Sequence, residues 1–558
     1  MLFLQHPDME FILNRVNEPD GEEFITNEFN RIMRGSTRPK DPNRFPKVPS
    51  MEGRKLMASG QFGANNYERF PNKSLSMRLF ERELGCGTQR ENEMNKHLIK
   101  QCLIPGTPAD HILHFEDPVY SGQFSDDGRF FYSCSQDFKI RLYDTTNPFN
   151  WKLYKTVHYP WGQWTLTDAS LSPDNKWIAY SSHSSLVSIA PTDPSDQGDP
   201  YSLDLSDGPG VRGFVAGRLY GFSSIFSVRF SGNGRELVAG TNGNSVIVYD
   251  IESRSVLHSI SGHNEDVNAV CFADKYSPHI IYSGSDDCTV KVWDRRSMGD
   301  QREVAAFVGH IAGLTYIDSK GDGRYVLSNG KDQSMKLWDI RKAYSSSEWR
   351  GLQPFRRRHF DYRMGRYNEN NWDPHPDDNS VVTFRGHQVL QTLIRCHFSP
   401  PNSSDSRYVY SGSKDGKVHI WNLDATKAAE IDVKEATRGT RPRGGRTRHY
   451  FSDARGDWAT CVRDASWHPH APFIAASALN GFGMSHGTVS LHSYGVADDG
   501  DEDDGSPPVP VLMNESLEPT PWENKGVGGY KANDYEGNDD DDDDDDDGDF
   551  EDDEEASE

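Results

Sequence analysis

The sequence predicts an all-β fold, a seven-bladed β-propeller flanked by a helical but mostly disordered amino-terminal arm and a disordered acidic carboxy-terminal tail. Three observations carry this expectation. A Gly-His step is followed by Trp at a nearly constant distance in three copies, each copy holds short alternating apolar runs between Gly, Asp and Ser turns, and the net charge of -25 is confined to one end.

Length and composition bound what surrounds the ring. The 558 residues exceed one small domain and suffice for one very large fold or for two or three ordinary ones. Only 35% are hydrophobic, which leaves some segments unfolded, yet 12 Trp, 23 Tyr and 28 Phe can fill a large core. No apolar run approaches the roughly 18 residues that span a bilayer, and the Met1-Leu-Phe-Leu start meets His6-Pro-Asp rather than a signal-peptide core. A soluble, non-secreted protein with no membrane partner is expected. The seven cysteines are scattered, with no Cys-x-x-Cys pair, which fits a reducing compartment and argues against a cysteine-based metal site.

In chain order, residues 1–73 show little periodicity and a Pro-rich stretch from Arg38 to Pro46, so a mostly disordered arm is expected. Residues 74–104 differ. A helix from Ser74 to Leu84 places Leu75, Leu79 and Phe80 on one face before Gly85, and a second from Arg90 to Leu103 groups Met94, His97 and Leu98. This helix-loop-helix reads either as a lid on the ring or as a partner-docking pair.

The ring is expected over residues 105–496. Its strong copies run from His263 to Trp293, His310 to Trp338 and His387 to Trp421, with His-to-Trp spacings of 30, 28 and 34. An Asp stands six residues before each Trp, as Asp287, Asp332 and Asp415. This is the WD-repeat signature, in which His, Asp, Trp and a strand hydroxyl form a buried hydrogen-bond chain tying turn to strand. These nine residues are therefore assigned a structural role, with no metal ligand or catalytic base among them. Weaker copies end at Tyr143-Asp144 and Tyr249-Asp250, a degenerate one spans residues 169–189, and another spans 462–492, giving seven blades. The chain turns acidic after Tyr494, so the last blade lacks an outer strand unless residues 111–115 return to fill it and latch the ring.

Two inserts are expected, at 342–380 and 425–456, emerging on the same face. The first holds Arg356, Arg357, Arg358, Arg363 and Arg366 among Phe, His and Tyr, and the second holds Arg441, Arg443 and Arg446. Such loops bind phosphates, nucleic acid or acidic peptide, act as a nuclear import signal, or are simply solvated. Residues 497–558 carry 27 acidic side chains against Lys525 and Lys531, including an unbroken Asp run from 539 to 547. Self-repulsion keeps that tail disordered. It either solubilises the chain or engages a basic protein such as a histone.

Two consecutive copies carry Trp-Asp-x-Arg, at Trp293-Asp294-Arg-Arg296 and Trp338-Asp339-Ile-Arg341. With the stretches 318–324, 328–332, 392–399 and 461–468, residues from about 75 to 494 resemble the WD repeat-containing protein 23 family. That resemblance implies a non-enzymatic substrate receptor for cullin-4 RING ubiquitin ligases, located in nucleus and cytoplasm and needing no cofactor. It further implies that Arg296 and Arg341 contact the adaptor, damaged-DNA-binding protein 1, that Asp294 and Asp339 orient the turn, and that the helices of 75–103 dock beside them. The protein to be ubiquitinated stays unidentified. Trp421-Asn-Leu-Asp424 departs from the box, which removes an arginine from the sixth blade. The competing reading is a chromatin- or RNA-associated scaffold using the arginine loops and the tail. Gly-x-Ser-x-Gly and His-Glu-x-x-His are absent from the sequence, so an enzyme ranks third.

Overall fold

A strand with one apolar face must bury it against another sheet, and here each sheet finds that cover in its neighbours around a ring. The computed structural model describes residues 42–63 and 74–495, except 160–161, 197, 207–212, 216–217, 221–223, 277, 301, 353–360, 364–366, 370–371 and 441–458. Seven antiparallel blades are present among the described residues, together with a small hairpin of Gly213–Val215 and Arg218–Tyr220. Their innermost strands are Val119–Phe124, Leu166–Leu171, Ile225–Phe230, Val267–Phe272, Leu314–Ser319, Cys396–Phe398 and Ala459–Trp467. The first six blades then run outward in chain order.

The seventh blade closes the circle. Its outermost strand is Ala109–Phe115, from the start of the ring, paired antiparallel with His486–Ser493 from its end. Leu113 faces Val489 across this latch, and both sit in a core with Phe131, Tyr143 and Trp151 of the first blade. Each such side chain contributes about 1.5–3 kcal/mol on burial, so the latch joins the termini through apolar contact as well as hydrogen bonds.

Because successive strands alternate in direction, turns after the first and third strands of every blade lie on one face. Turns after the second and fourth lie on the other. The two inserts therefore leave the ring from different faces, contrary to the expectation that they emerge together. Residues 342–380 leave from the end of the third strand of the fifth blade, Ser334–Asp339. The second segment leaves from a fourth strand, because Lys427–Asp432 is the outer strand of the sixth blade and not part of an insert. The extra chain there begins only after residue 432. Within 342–380, Tyr344–Ser345 adds a fifth strand to the fourth blade, followed by a short helix, Ser346–Gly351, with a Ser345/Glu348 capping box.

Residues 42–63, expected to be disordered, lie along the fifth and sixth blades. They carry the helix α1 (Met51–Ala58), and Phe62 is fully buried against Tyr325 and Phe398. The predicted helix pair is α2 (Leu75–Glu83) and α3 (Gln89–Cys102), capped by Ser74 and Thr88. Residues 1–41, 64–73 and the acidic tail 497–558 lie outside the described residues.

Six innermost strands carry a bulge near their start, where one extra residue stands against the second strand. The channel is crossed by ion pairs. Arg395 of the sixth blade donates to Asp168 of the second at 2.7 Å and to Asp464 of the seventh at 3.3 Å. Arg229 of the third blade donates to Asp168 and to the Tyr316 hydroxyl of the fifth, each at 2.5 Å. Burial would raise the Asp168 carboxyl, but Arg229 and Arg395 hold it below its ordinary value.

Candidate functional site

In the fourth blade the Trp293 indole N–H donates to Ser283 Oγ at 2.7 Å, and Ser283 Oγ lies 2.7 Å from His263 Nε2. His263 Nδ1 lies 2.8 Å from Asp287 Oδ2. Ser283 has one proton to give, so it goes to Nε2, and the imidazole N–H at Nδ1 goes to the carboxylate. The fifth blade repeats the chain through Trp338, Ser328, His310 and Asp332, with separations of 2.8, 2.7 and 3.0 Å. Burial opposes the charge on Asp287 and Asp332, yet the paired histidines keep both carboxyls well below the usual range.

The third strong copy breaks the pattern. His387 Nε2 bonds Asn329 Oδ1 at 2.8 Å, while Asp415 Oδ2 pairs with His419 at 3.0 Å. Two residues before Trp293 and Trp338 stand Lys291 and Lys336, but Trp421 is preceded there by His419, whose imidazole takes the carboxylate. Ser411, at the hydroxyl position, donates to the Arg395 carbonyl instead. His387, stacked edge-on against Trp421, is pushed down to about 3 by burial, with His419 and Arg385 adding to the effect.

The two boxes follow third strands and so share a face. Asp294 Oδ1 accepts from the Arg296 backbone N–H at 3.0 Å and its two oxygens accept from Nε and Nη2 at 3.0 and 2.8 Å. Asp339 holds Arg341 the same way, with Nη2 at 2.8 Å, and also accepts from Arg324 at 2.9 Å. The aspartates are sunk at 18% and 6% side-chain exposure, whereas Arg296 and Arg341 stand out at 68% and 64%. The carboxylate thus fixes a guanidinium without hiding it. Sequence reasoning missed Arg295, which forms an ion pair with Glu236 and ties the third blade to the fourth. Its adjacency to the box was the only available signal.

The same face holds the helix pair. On α3, His97 Nδ1 and Gln101 Nε2 both reach Asp405 Oδ2, at 2.9 and 3.1 Å, in the turn after the sixth blade's first strand. The Tyr408 hydroxyl donates to the Gln101 carbonyl at 2.6 Å. Buried Arg78 of α2 donates to Asn95 of α3 at 3.0 Å, joining the helices. Phe80 does not share the packed side of Leu75 and Leu79. It points outward at 54% exposure with Met77 at 48% and Leu84 at 59%, three apolar positions on one helical face.

Of the basic positions, Arg356, Arg357, Arg358, Arg366, Arg441, Arg443 and Arg446 lie outside the described residues. Arg363 is described, beside Tyr362, whose ring lies 4.4 Å from Lys331 Nζ and whose carbonyl accepts from Gln391 N–H at 2.7 Å. Lys331 follows a second strand, which places Arg363 on the face opposite the boxes. That face also exposes Trp164 at 62%, edge-on to His183. Among the described residues no group of acidic, His and Cys side chains could hold a metal ion, and no helix is long and apolar enough to cross a membrane.

The WD domain, G-beta repeat model matches residues 109–144, 254–294, 301–339 and 378–422, each match pairing one blade's outer strand with the three inner strands of the next. A LEC14B protein of Lithospermum erythrorhizon is 41% identical over 368 residues, covering 65% of this chain and 71% of that protein. A DDB1- and CUL4-associated factor 11 homolog of Caenorhabditis elegans is 33% identical over 441 residues, 75% of this chain and 68% of that protein. Its counterpart in Caenorhabditis briggsae is 37% identical over 273 residues, 46% and 43% of the two chains. With the propeller, the paired boxes and these relatives together, the chain belongs to the WD repeat-containing protein 23 family, alongside the DDB1- and CUL4-associated factor 11 homologues.

Proposed function

We propose that this chain is a non-catalytic substrate receptor of a CUL4-type ubiquitin ligase, docking DDB1 through Arg296 and Arg341. Two relatives carry the name DDB1- and CUL4-associated factor 11 homolog, which supports the coarse role. The observation that carries the finer reading is geometric: two guanidinium groups, each pinned by a sunken aspartate, share a face with a helix whose Met77, Phe80 and Leu84 lack cover among the described residues. Charge gives orientation and encounter rate, and the apolar helix face gives affinity.

The protein to be ubiquitinated then meets the opposite face, where Trp164 and Arg363 stand. Nucleus and cytoplasm are the compartments that suit this role. Isothermal titration of purified DDB1 into the full chain tests the docking. Arg296→Glu with Arg341→Glu is expected to weaken binding at least about 30-fold, since two charge reversals at roughly 1–2 kcal/mol each suffice. Unchanged affinity contradicts it.

A further inference from the structure

The sixth blade lacks the box arginine, and the amino-terminal arm supplies one in its place. Trp421 is followed three residues later by Asp424, where Trp293 and Trp338 are followed by Arg296 and Arg341. Helix α1 sits on that turn. The Ser50 N–H donates to the Asp424 carbonyl at 2.7 Å, and Gly53 lies so close that an added Cβ would meet the Leu423 carbonyl oxygen at 2.2 Å. Only glycine permits this approach, and it brings Arg54 Nε to 3.9 Å from Asp424 Oδ2. The arrangement matches the two boxes in exposure, with an aspartate side chain 11% exposed and an arginine side chain 58% exposed, although at 3.9 Å the pair is a looser contact than the hydrogen-bonded ones of Arg296 and Arg341. The difference is that the two partners come from segments more than 350 residues apart.

The seat of α1 is well defined. Arg407 donates to the Met57 and Phe62 carbonyls at 3.3 and 3.4 Å, Lys320 donates to the Gln61 carbonyl at 2.8 Å, and Leu56 and Met57 pack on the core around Leu423. Lys342, beside the fifth-blade box, is close enough to help hold Glu52 below its ordinary value, after the larger effect of Lys55. An exposed pair at 3.9 Å adds little to stability, so the fold gives no energetic reason for an arginine at this position.

We infer that Arg54 completes, on the sixth blade, the row of exposed guanidinium groups that Arg296 and Arg341 begin, so that an acidic adaptor surface is met by three neighbouring blades. The inference rests on the receptor reading above. Binding of purified DDB1 to the full chain tests it with Arg54→Gln, Arg54→Lys and Gly53→Ala. Arg54→Gln is expected to bind about tenfold more weakly with an unchanged melting temperature and a shallower salt dependence, and Arg54→Lys to recover part of the loss. Gly53→Ala keeps the charge but lifts α1, and is expected to weaken binding as well. If Arg54→Gln binds like the parent while the Arg296→Glu, Arg341→Glu chain does not, the third arginine is overturned and the receptor reading stands. A parent chain that shows no binding overturns both.

Discussion

Ser328 satisfies two buried partners at once, accepting from the Trp338 indole and giving its proton to His310. Ser328→Ala leaves the indole N–H and His310 Nε2 without a partner and should cost about 2–4 kcal/mol, read as a lower urea midpoint. Ser411→Ala in the sixth blade loses a hydroxyl that donates to a backbone carbonyl and accepts a long bond from Asn329 at 3.5 Å, and should cost about 1 kcal/mol, because the relay is not built there. Equal losses at the two serines would contradict that distinction. In the channel, Arg395→Met removes the cation that Asp168 and Asp464 share, leaving Arg229 and His397 as their remaining partners, and should destabilise by about 3 kcal/mol.

His492 ties titration to the latch. It is fully buried, with Ser490 Oγ at 2.8 Å and the Thr107 carbonyl at 3.0 Å, and burial pushes it down to about 4 from 6.5. A lowered folded pKa means that the unfolded chain binds the proton first. Its contribution is therefore complete above pH 6.5 and is lost as pH falls from there toward 4. That span corresponds to roughly 3 kcal/mol, and His492→Gln should flatten the stability curve within it, whereas the depressed carboxyls of Asp287 and Asp332 give way only below pH 3.8.

At the scale of elements, the outer strand Ala109–Phe115 should decide whether the ring stays closed. Removing residues 109–115 exposes the His486–Ser493 edge and is expected to lower the melting temperature by more than about 5 °C. A truncated chain that melts like the parent would show that the ring closes without it. This latch was legible in the sequence because a ring one strand short at its end must find that strand at its start. The relays of the fourth and fifth blades were legible for a local reason: histidine, hydroxyl, aspartate and tryptophan fall within about 30 residues. The sixth-blade departure was written there too, in the histidine standing where Lys291 and Lys336 stand.

The seat of α1 was not legible. Gly53 interrupts its helical pattern, and Gln61 accepts from the Tyr325 hydroxyl 264 residues away. The shared point of emergence predicted for the two inserts failed on direction, since it counted neither Lys427–Asp432 as a strand nor the reversal that this strand brings, although Arg363 of the first insert ends on the face from which the second leaves. The channel pairs were hidden as well, because Arg395 and Asp168 meet only once the three blades between them have formed and the ring has closed.

At the scale of the whole molecule, the alternation of strands sorts the exposed groups onto two faces. One carries Arg296, Arg341, Arg54 and the apolar side of α2, and the other carries Trp164 and Arg363. A rigid ring keeps these surfaces at fixed separation, which is what a receptor that presents a protein to a ligase requires. Hydrogen exchange of the full chain with and without saturating DDB1 tests this division most directly. Slowed exchange at residues 75–102, 294–297 and 339–342, with loops 286–289 and 331–333 unchanged, is the predicted result. Protection confined to those loops, or protection nowhere, would contradict it.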